Sequence, residues 1–151
     1  MKKTILSLLC ASAFSASAFD LGVVAARDNA TSQNLVGVSA SQYFNYFVAE
    51  GTAMRADAAL NPYNKYSLTV GYDFHPTTYI HVVPKLGVTR FTDLTCPSCS
   101  ADGQGAVIGV STFYTIDRYA KLEIGYQYLR AESAIEPMSG STFSVAVKFR
   151  L

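Results

Sequence analysis

Apolar and polar residues alternate along most of this chain, and the stretch from Ser141 to Leu151 shows the pattern most clearly. Its apolar positions are Phe143, Val145, Val147, Phe149 and Leu151. Small or charged residues, among them Lys148 and Arg150, lie between them. Side chains of a β-strand point alternately to its two faces, so this strand has one apolar and one polar face. Each face must therefore contact a different environment.

Segments with this period of two recur between residues 19 and 151 and predict eight strands. They are Phe19–Arg27, Leu35–Phe44, Tyr46–Arg55, Tyr63–Phe74, Thr78–Phe91, Gln104–Thr115, Arg118–Ala131 and Ser141–Leu151. Most have the length that a tilted strand needs to cross a bilayer, and no helical apolar period is sustained. Tight turns alternate with longer polar links between the strands, which is typical of an up-and-down membrane barrel.

Alternation alone does not show which face looks outward, because a soluble ligand-binding barrel would bury the apolar face and expose the charges. The aromatic residues favour the membrane. One group collects around the predicted short turns and the C-terminus: Tyr43, Phe44, Tyr46, Phe47, Phe74, Tyr79, Tyr114, Tyr119 and Phe149. A second group lies near the long links: Tyr63, Tyr66, Phe91, Tyr128 and Phe143. Two aromatic bands indicate two membrane interfaces. We predict an all-β fold, an eight-stranded antiparallel up-and-down transmembrane β-barrel, with a soluble periplasmic ligand-binding barrel as the alternative.

The first 18 residues have the pattern of a secretory signal peptide. Lys2 and Lys3 form a basic start, an apolar run follows, and Ala16-Ser17-Ala18 gives the small-x-small cleavage pattern. The apolar run is too short for a membrane-spanning helix, which needs roughly 20 residues. We expect residues 1–18 to be removed during export through the Sec pathway and residues 19–151 to form one barrel domain.

The charge of the exported chain excludes one class of partner. Without Lys2 and Lys3, ten of the twelve Lys and Arg residues remain against eleven Asp and Glu. Net charge is then close to −1, and no basic cluster is present, so nucleic acid is not expected to bind.

Charged residues on the polar face are predicted to fill the barrel interior. We expect a polar network of Glu50, Asp73, His81, Lys85, Lys121, Glu123 and Lys148. Asp20, Lys65, Gln127 and Arg150 share that face. The interior of an eight-stranded barrel is only wide enough for side chains, and charges there must pair. A plug of ion pairs is therefore the favoured interpretation, and a narrow, low-conductance ion channel is the alternative.

The longest link between strands carries Cys96-Pro97-Ser98-Cys99. In an oxidising compartment Cys96 and Cys99 are predicted to form a disulfide, with free or intermolecular thiols as the alternative. A redox-active pair would open a helix, and none is predicted here. Zinc would need further ligands near this loop. The residues predicted to contact a surface partner are Thr92, Asp93, Pro97 and Asp102.

Enzyme chemistry is not predicted. The chain has two histidines, His75 and His81, and both lie near the predicted turn at Pro76. A turn residue and a lumen residue are their ordinary explanations, and no serine or carboxylate pair has a catalytic spacing. We expect no catalytic residues, no cofactor and no metal site.

Several strand motifs resemble the small eight-stranded outer-membrane barrels of the OmpA-like, OmpX-like and opacity-protein superfamily. They are Gly71-Tyr72-Asp73-Phe74, Val83-Pro84-Lys85-Leu86-Gly87-Val88, Leu122-Glu123-Ile124-Gly125-Tyr126-Gln127-Tyr128 and the strand Phe143–Leu151. The resemblance implies a non-enzymatic protein of the cell outer membrane with four surface loops. It also implies contacts with membrane lipids, lipopolysaccharide, the assembly machinery and a host or envelope surface partner. Such barrels usually end on an aromatic residue, whereas this chain ends on Leu151.

Overall fold

Eight antiparallel strands close into one barrel in the computed structural model, which describes residues 19–56, 62–93, 102–132, 136 and 138–151. The strands are β1 Phe19–Asp28, β2 Gln33–Phe44, β3 Phe47–Ala56, β4 Asn64–Tyr72, β5 Ile80–Thr92, β6 Gly103–Thr115, β7 Ala120–Ala131 and β8 Gly140–Arg150. Each strand pairs with the next, and β1 pairs with β8 to close the barrel. This confirms the predicted all-β, up-and-down barrel. No helix in the described part of the chain is long and apolar enough to cross a membrane.

The barrel has two different ends. The strand ends that are joined through residues 29–32, 57–63, 93–102 and 132–139 lie at one of them, which we call the long-loop end. The connections 45–46, 73–79 and 116–119 meet at the other, the short-turn end, where Leu151 N donates to Phe19 O. The predicted signal peptide, residues 1–18, lies outside the described residues, as do Cys96, Pro97 and Cys99.

Local backbone geometry explains where the predicted strand boundaries differ. Asn45 adopts a positive φ of 55°, a conformation that asparagine tolerates, so the chain turns at Asn45 and Tyr46 and β3 begins at Phe47. The connection between β4 and β5 is longer than predicted, since β4 ends at Tyr72 and β5 begins at Ile80. Within it, Phe74 forms an isolated bridge with Val82 of β5.

Apolar side chains form a continuous outer surface, as the period of two predicts. Leu86, Ile108 and Leu68 are 69%, 65% and 60% exposed, whereas Lys85, Glu50 and Lys148 on the opposite face are buried. The outward residues of β8, Phe143, Val145, Val147 and Phe149, are all exposed as well. Burial therefore follows the parity of each strand position, with the apolar face outward.

Most of the aromatic residues in the two predicted bands are exposed on the outer surface of the barrel. At the short-turn end, eight of the nine predicted residues are exposed, and the exception is Tyr43, which packs inside under Lys121. At the long-loop end, Tyr66, Tyr128 and Phe143 are exposed, but the prediction was wrong for two others, because Tyr63 and Phe91 are buried. Phe91 lies on the same inward face of β5 as Lys85 and Thr89. The strand face that a residue occupies therefore predicts its burial better than its distance from a loop does.

Candidate functional site

Four charged residues from four strands meet in the middle of the barrel interior, the lumen. Lys85 Nζ lies 2.9 Å from Glu50 Oε1 and 2.8 Å from Glu123 Oε1. Lys148 Nζ lies 2.7 Å from Glu123 Oε2 and also pairs with Glu50 Oε2. Cations and carboxylates thus alternate around a closed ring, which we call the charge square. All four of these residues are buried.

The charge square is neutral and has further partners. Ser41 donates to Glu50 Oε2 at 3.1 Å and accepts from Lys148 Nζ at 2.7 Å. Both ammonium groups also lie about 5 Å from the ring centre of Phe113, at 5.1 Å for Lys85 and 5.0 Å for Lys148. Buried charges are tolerated when they are paired and hydrogen-bonded, and this arrangement meets both conditions.

A second group of charges occupies the lumen near the short-turn end. Lys121 Nζ and Arg150 Nε bind the buried Asp20 carboxylate at 2.8 Å and 3.2 Å. Tyr43 lies beside them, with its ring centre 4.1 Å from Lys121 Nζ. At the same end Asp73 contacts His75 and His81 rather than a lysine. The predicted network is therefore divided, since Lys121, Asp73 and His81 do not share ion pairs with the charge square.

Towards the long-loop end the lumen is largely apolar, although the sequence predicts a polar interior. Eleven buried residues pack into one cluster there: Val24, Ala26, Leu35, Met54, Ala56, Tyr63, Phe91, Val107, Leu129, Met138 and Ala146. Lys65 is buried beside this cluster, where it donates to Thr142 Oγ1 at 2.7 Å and lies 3.8 Å from Asp28. Strand parity could have located the nine members that lie in strands, because each of them occupies an inward position, whereas Tyr63 and Met138 lie in the connections between strands.

Tyr63 links this apolar cluster to the first long loop. Its hydroxyl donates to Asp28 Oδ2 at 2.9 Å and lies 3.0 Å from Thr31 Oγ1. Burial raises the pKa of the Tyr63 phenol, which keeps the hydroxyl protonated as a donor. The chain leaving β1 is therefore tied to the segment that enters β4.

Three of the four residues predicted to contact a surface partner lie in the described part of the chain. Thr92 ends β5, and Asp93 follows it with a positive φ of 62°. Asp93 accepts from Asn64 Nδ2 at 2.6 Å, and Asp102 lies 3.3 Å from Arg90 Nη2. These contacts anchor the two ends of the loop to the barrel rim.

A closed eight-stranded, up-and-down barrel with an apolar exterior and a filled interior is the architecture of the small outer-membrane β-barrels. Solved structures carry the same fold at low sequence identity. The N-terminal β-barrel domain of Pseudomonas aeruginosa OprF matches with a TM-score of 0.72 and 14% identity, over 89% of this chain and 97% of that one. Ail, the attachment invasion locus protein of Yersinia pestis in complex with the heparin analogue sucrose octasulfate, matches at 0.57 and 13%, over 89% and 97%.

A de novo designed transmembrane β-barrel also matches, with a TM-score of 0.65 and 13% identity over 89% of this chain and 95% of the designed one. No protein-family model matches the chain, and no curated protein matches it by sequence. The predicted resemblance to small outer-membrane barrels is confirmed at the level of the fold, and this agrees with the outer-membrane location predicted from the sequence. Because a designed barrel shares the architecture, the fold does not specify an activity.

Proposed function

We propose that this protein is a non-enzymatic integral barrel of the outer membrane, exported by a signal peptide that is cleaved after Ala18. Its lumen is a plug that stabilises the barrel, and its long loops serve envelope structure or contacts at the cell surface. Its immediate partners are the membrane lipids, including lipopolysaccharide, and the assembly machinery that inserts it.

The observation that carries this proposal is the outer surface of the barrel. Large apolar side chains are exposed on all eight strands, from Leu21 on β1 to Phe149 on β8. Water-soluble monomers rarely expose contiguous apolar surface beyond a few hundred Å². This apolar belt, formed by the exposed side chains of all eight strands, requires the hydrocarbon of a membrane as its solvent. Closure of the barrel also pairs the backbone N–H and C=O groups of the edge strands, which lipid could not hydrogen-bond.

Four arginines mark the boundary of this belt at the long-loop end. Arg27, Arg55, Arg90 and Arg130 are exposed on the outer face near the ends of β1, β3, β5 and β7. Three of them face an amide side chain across the strand pair, in the registers Arg27–Asn34, Arg55–Asn64 and Arg90–Gln104. Arginine binds phosphate bidentately, so this arginine ring supports an anionic headgroup layer, such as lipopolysaccharide, at that interface.

We predict that replacing Arg27, Arg55 and Arg130 together by Gln weakens association with lipopolysaccharide and leaves the fold intact. The outward side chains would lose their charge while the lumen contacts stay unchanged. Co-purification of lipopolysaccharide with barrels extracted in mild detergent measures the effect, and Arg118→Gln at the opposite end is the matched control. Equal lipopolysaccharide on the triple variant and the control would contradict the role of the ring.

The filled lumen supports a plug rather than a channel. A cavity of about 20 Å³ lies between the charge square and the apolar cluster, lined among others by Met54, Glu123 and Thr142. That volume corresponds to about one water molecule. An ion would have to displace the paired charges to move past them, which would require rearrangement of buried ion pairs.

Surface contact is assigned to the loop between Thr92 and Gly103. It is the longest connection, and its ends are anchored through Asp93 and Asp102. We expect that deleting residues 94–101 abolishes binding to any envelope or host surface and leaves the barrel folded. A disulfide between Cys96 and Cys99 would constrain the loop tip and contribute little to barrel stability, because it closes a very short segment.

Gel mobility of the outer-membrane fraction tests the proposal. The barrel should resist cold detergent and migrate differently after boiling, and sequencing of that band should begin Phe-Asp-Leu. A heat-insensitive band in the soluble periplasm would overturn the membrane assignment and indicate a soluble ligand-binding barrel.

A further inference from the structure

The connection between β4 and β5 brings Asp73, His75 and His81 together at the short-turn mouth of the lumen. In the β4–β5 register Gly71 pairs with Lys85, and the backbone groups of Phe74 and Val82 exchange hydrogen bonds of 2.9 and 2.8 Å. His75 and His81 are the next positions on the two sides of this bridge and therefore face each other. Asp73 precedes His75 by two residues and so lies on the same face.

The three side chains converge closely. His75 Nε2 lies 3.0 Å from Asp73 Oδ2, and His81 Nδ1 lies 3.1 Å from the same oxygen. The imidazole ring centres are 4.4 Å apart, and one ligand atom from each of the three residues falls within 4.8 Å of the others. With metal–ligand bonds of about 2.0–2.1 Å, tetrahedral coordination separates ligand atoms by about 3.4 Å. Small side-chain movements would therefore complete a coordination shell.

The three side chains differ in solvent exposure, and this would suit an ion-binding site that is held by the protein on one side and open to solvent on the other. Asp73 is buried, whereas the side chain of His75 is 42% exposed and that of His81 is 19% exposed. Lys121, near the same end, donates to Asp20 instead of Asp73. The Asp73 carboxylate is thus directed at two imidazoles, and ions can approach from the side of His75.

We propose that Asp73, His75 and His81 bind one divalent first-row transition metal of the Zn²⁺ class. Two imidazole nitrogens and a carboxylate oxygen form a donor set that favours such metals over Mg²⁺ and Ca²⁺. Those two ions prefer ligand sets made of oxygen atoms alone. Three protein ligands leave a fourth position for water or for a group from another molecule. The site joins the end of β4 to the start of β5, so the bound ion closes the longest turn at this end of the barrel.

Calorimetric titration of the refolded, untagged residues 19–151 in detergent with ZnCl₂ tests the proposal, and CoCl₂ provides an absorption spectrum that reports the ligand geometry. A polyhistidine tag must be absent because it would bind the same ions. We expect one ion per barrel, and each of His75→Gln, His81→Gln and Asp73→Asn should weaken binding at least about tenfold. Asp117→Asn, which changes an exposed carboxylate on the neighbouring short turn, should bind like the wild type.

Nitrogen-15 NMR gives a second measurement, since the chain has only two histidines. Zn²⁺ should shift the resonances of His75 Nε2 and His81 Nδ1 in the same titration, in a barrel that still shows the heat-dependent gel shift. Absence of saturable binding, or an affinity that survives either histidine substitution, would overturn the proposal. Neither result depends on where the barrel resides, so this test is separate from that of the proposed function.

Discussion

At the scale of single residues, the charge square is the feature on which the lumen depends. Each of its carboxylates contacts two ammonium groups and each ammonium contacts two carboxylates. Removing one member leaves its two oppositely charged neighbours buried, each with one ion-pair partner instead of two. The cost of breaking a buried pair in this way generally exceeds the net gain from forming it.

We predict that Glu123→Ala lowers the free energy of unfolding by about 3–5 kcal/mol, because Lys85 and Lys148 would then share Glu50 alone. Urea titration of the barrel in lipid vesicles measures the change. Glu132→Ala is the matched control, since this exposed residue accepts one hydrogen bond from Gln104 and should change stability by less than about 1 kcal/mol. Equal stability of the Glu123 variant and the wild type would show that the charge square does not stabilise the barrel.

The sequence predicts which strand face these residues occupy but not which partners they contact. Period-two parity predicts that Glu50, Lys85, Glu123 and Lys148 point inward. It gives no height within the barrel, because height depends on the stagger between strands that closure imposes. Lys148 and Glu50 are 98 residues apart, so no local pattern could pair them. For the same reason, the alternation of the sequence does not predict the contacts among Asp73, His75 and His81. All three have odd positions on the two sides of one turn, however, and this does predict that they share a face.

At the scale of strands, two inward glycines allow the backbones of neighbouring strands to approach closely. A Cβ atom at Gly37 would lie 2.0 Å from Ala53 O, and one at Gly87 would lie 2.0 Å from Leu68 O. Both obstacles are backbone atoms, so the strands themselves would have to move. Gly51 is different, because a Cβ there would meet no atom within 4 Å.

We predict that Gly37→Ala destabilises the barrel by about 1–3 kcal/mol, the usual cost of overpacking a well-packed site. Gly51→Ala should change stability by less than about 0.5 kcal/mol, since its methyl group would point to the outer face and meet no protein atom within 4 Å. Both substitutions alter the β2–β3 hairpin, which makes them a matched pair for thermal or urea unfolding in vesicles. If the two variants lost similar amounts of stability, the close approach of the neighbouring strand would not explain the need for glycine at Gly37.

The existence and order of all eight strands could be read from the sequence, whereas their ends could not. Alternation is a property of the strand interior and fades where turns begin. Pro76 indicated the turn between β4 and β5, but the break at Asp73 and the single bridge at Phe74 depend on contacts made across the folded hairpin. Tyr63 and Phe91 differ from the prediction for a related reason, because both lie close to a loop and yet are buried.

At the scale of the whole molecule, the lumen combines two kinds of filling. The charge square occupies its middle, and an apolar cluster fills it towards the long-loop end. The predicted polar interior is thus polar only in part. Composition could not show this, because the apolar cluster takes only one or two residues from each strand that contributes to it, and those strands also carry polar inward residues.

We predict that the refolded barrel conducts no ions in planar lipid bilayers at physiological salt, since both layers of side chains block the lumen. Single-channel recording measures this, with boiled protein in the same detergent as the control. Stepwise currents that require the folded protein and disappear on boiling would favour the narrow-channel alternative.

The pairing of β1 with β8 has a consequence for how the chain folds. Seven hairpins join strands that are neighbours in sequence, but Leu21 and Phe149 must find each other across nearly the whole chain. Loop-closure entropy makes such contacts costly until the intervening chain is organised, so we expect this pairing to form last. Until then both strands present unpaired amide and carbonyl groups, which are a template for aggregation. Protection of those two edges during synthesis and transport is therefore the main kinetic requirement that this architecture places on the cell.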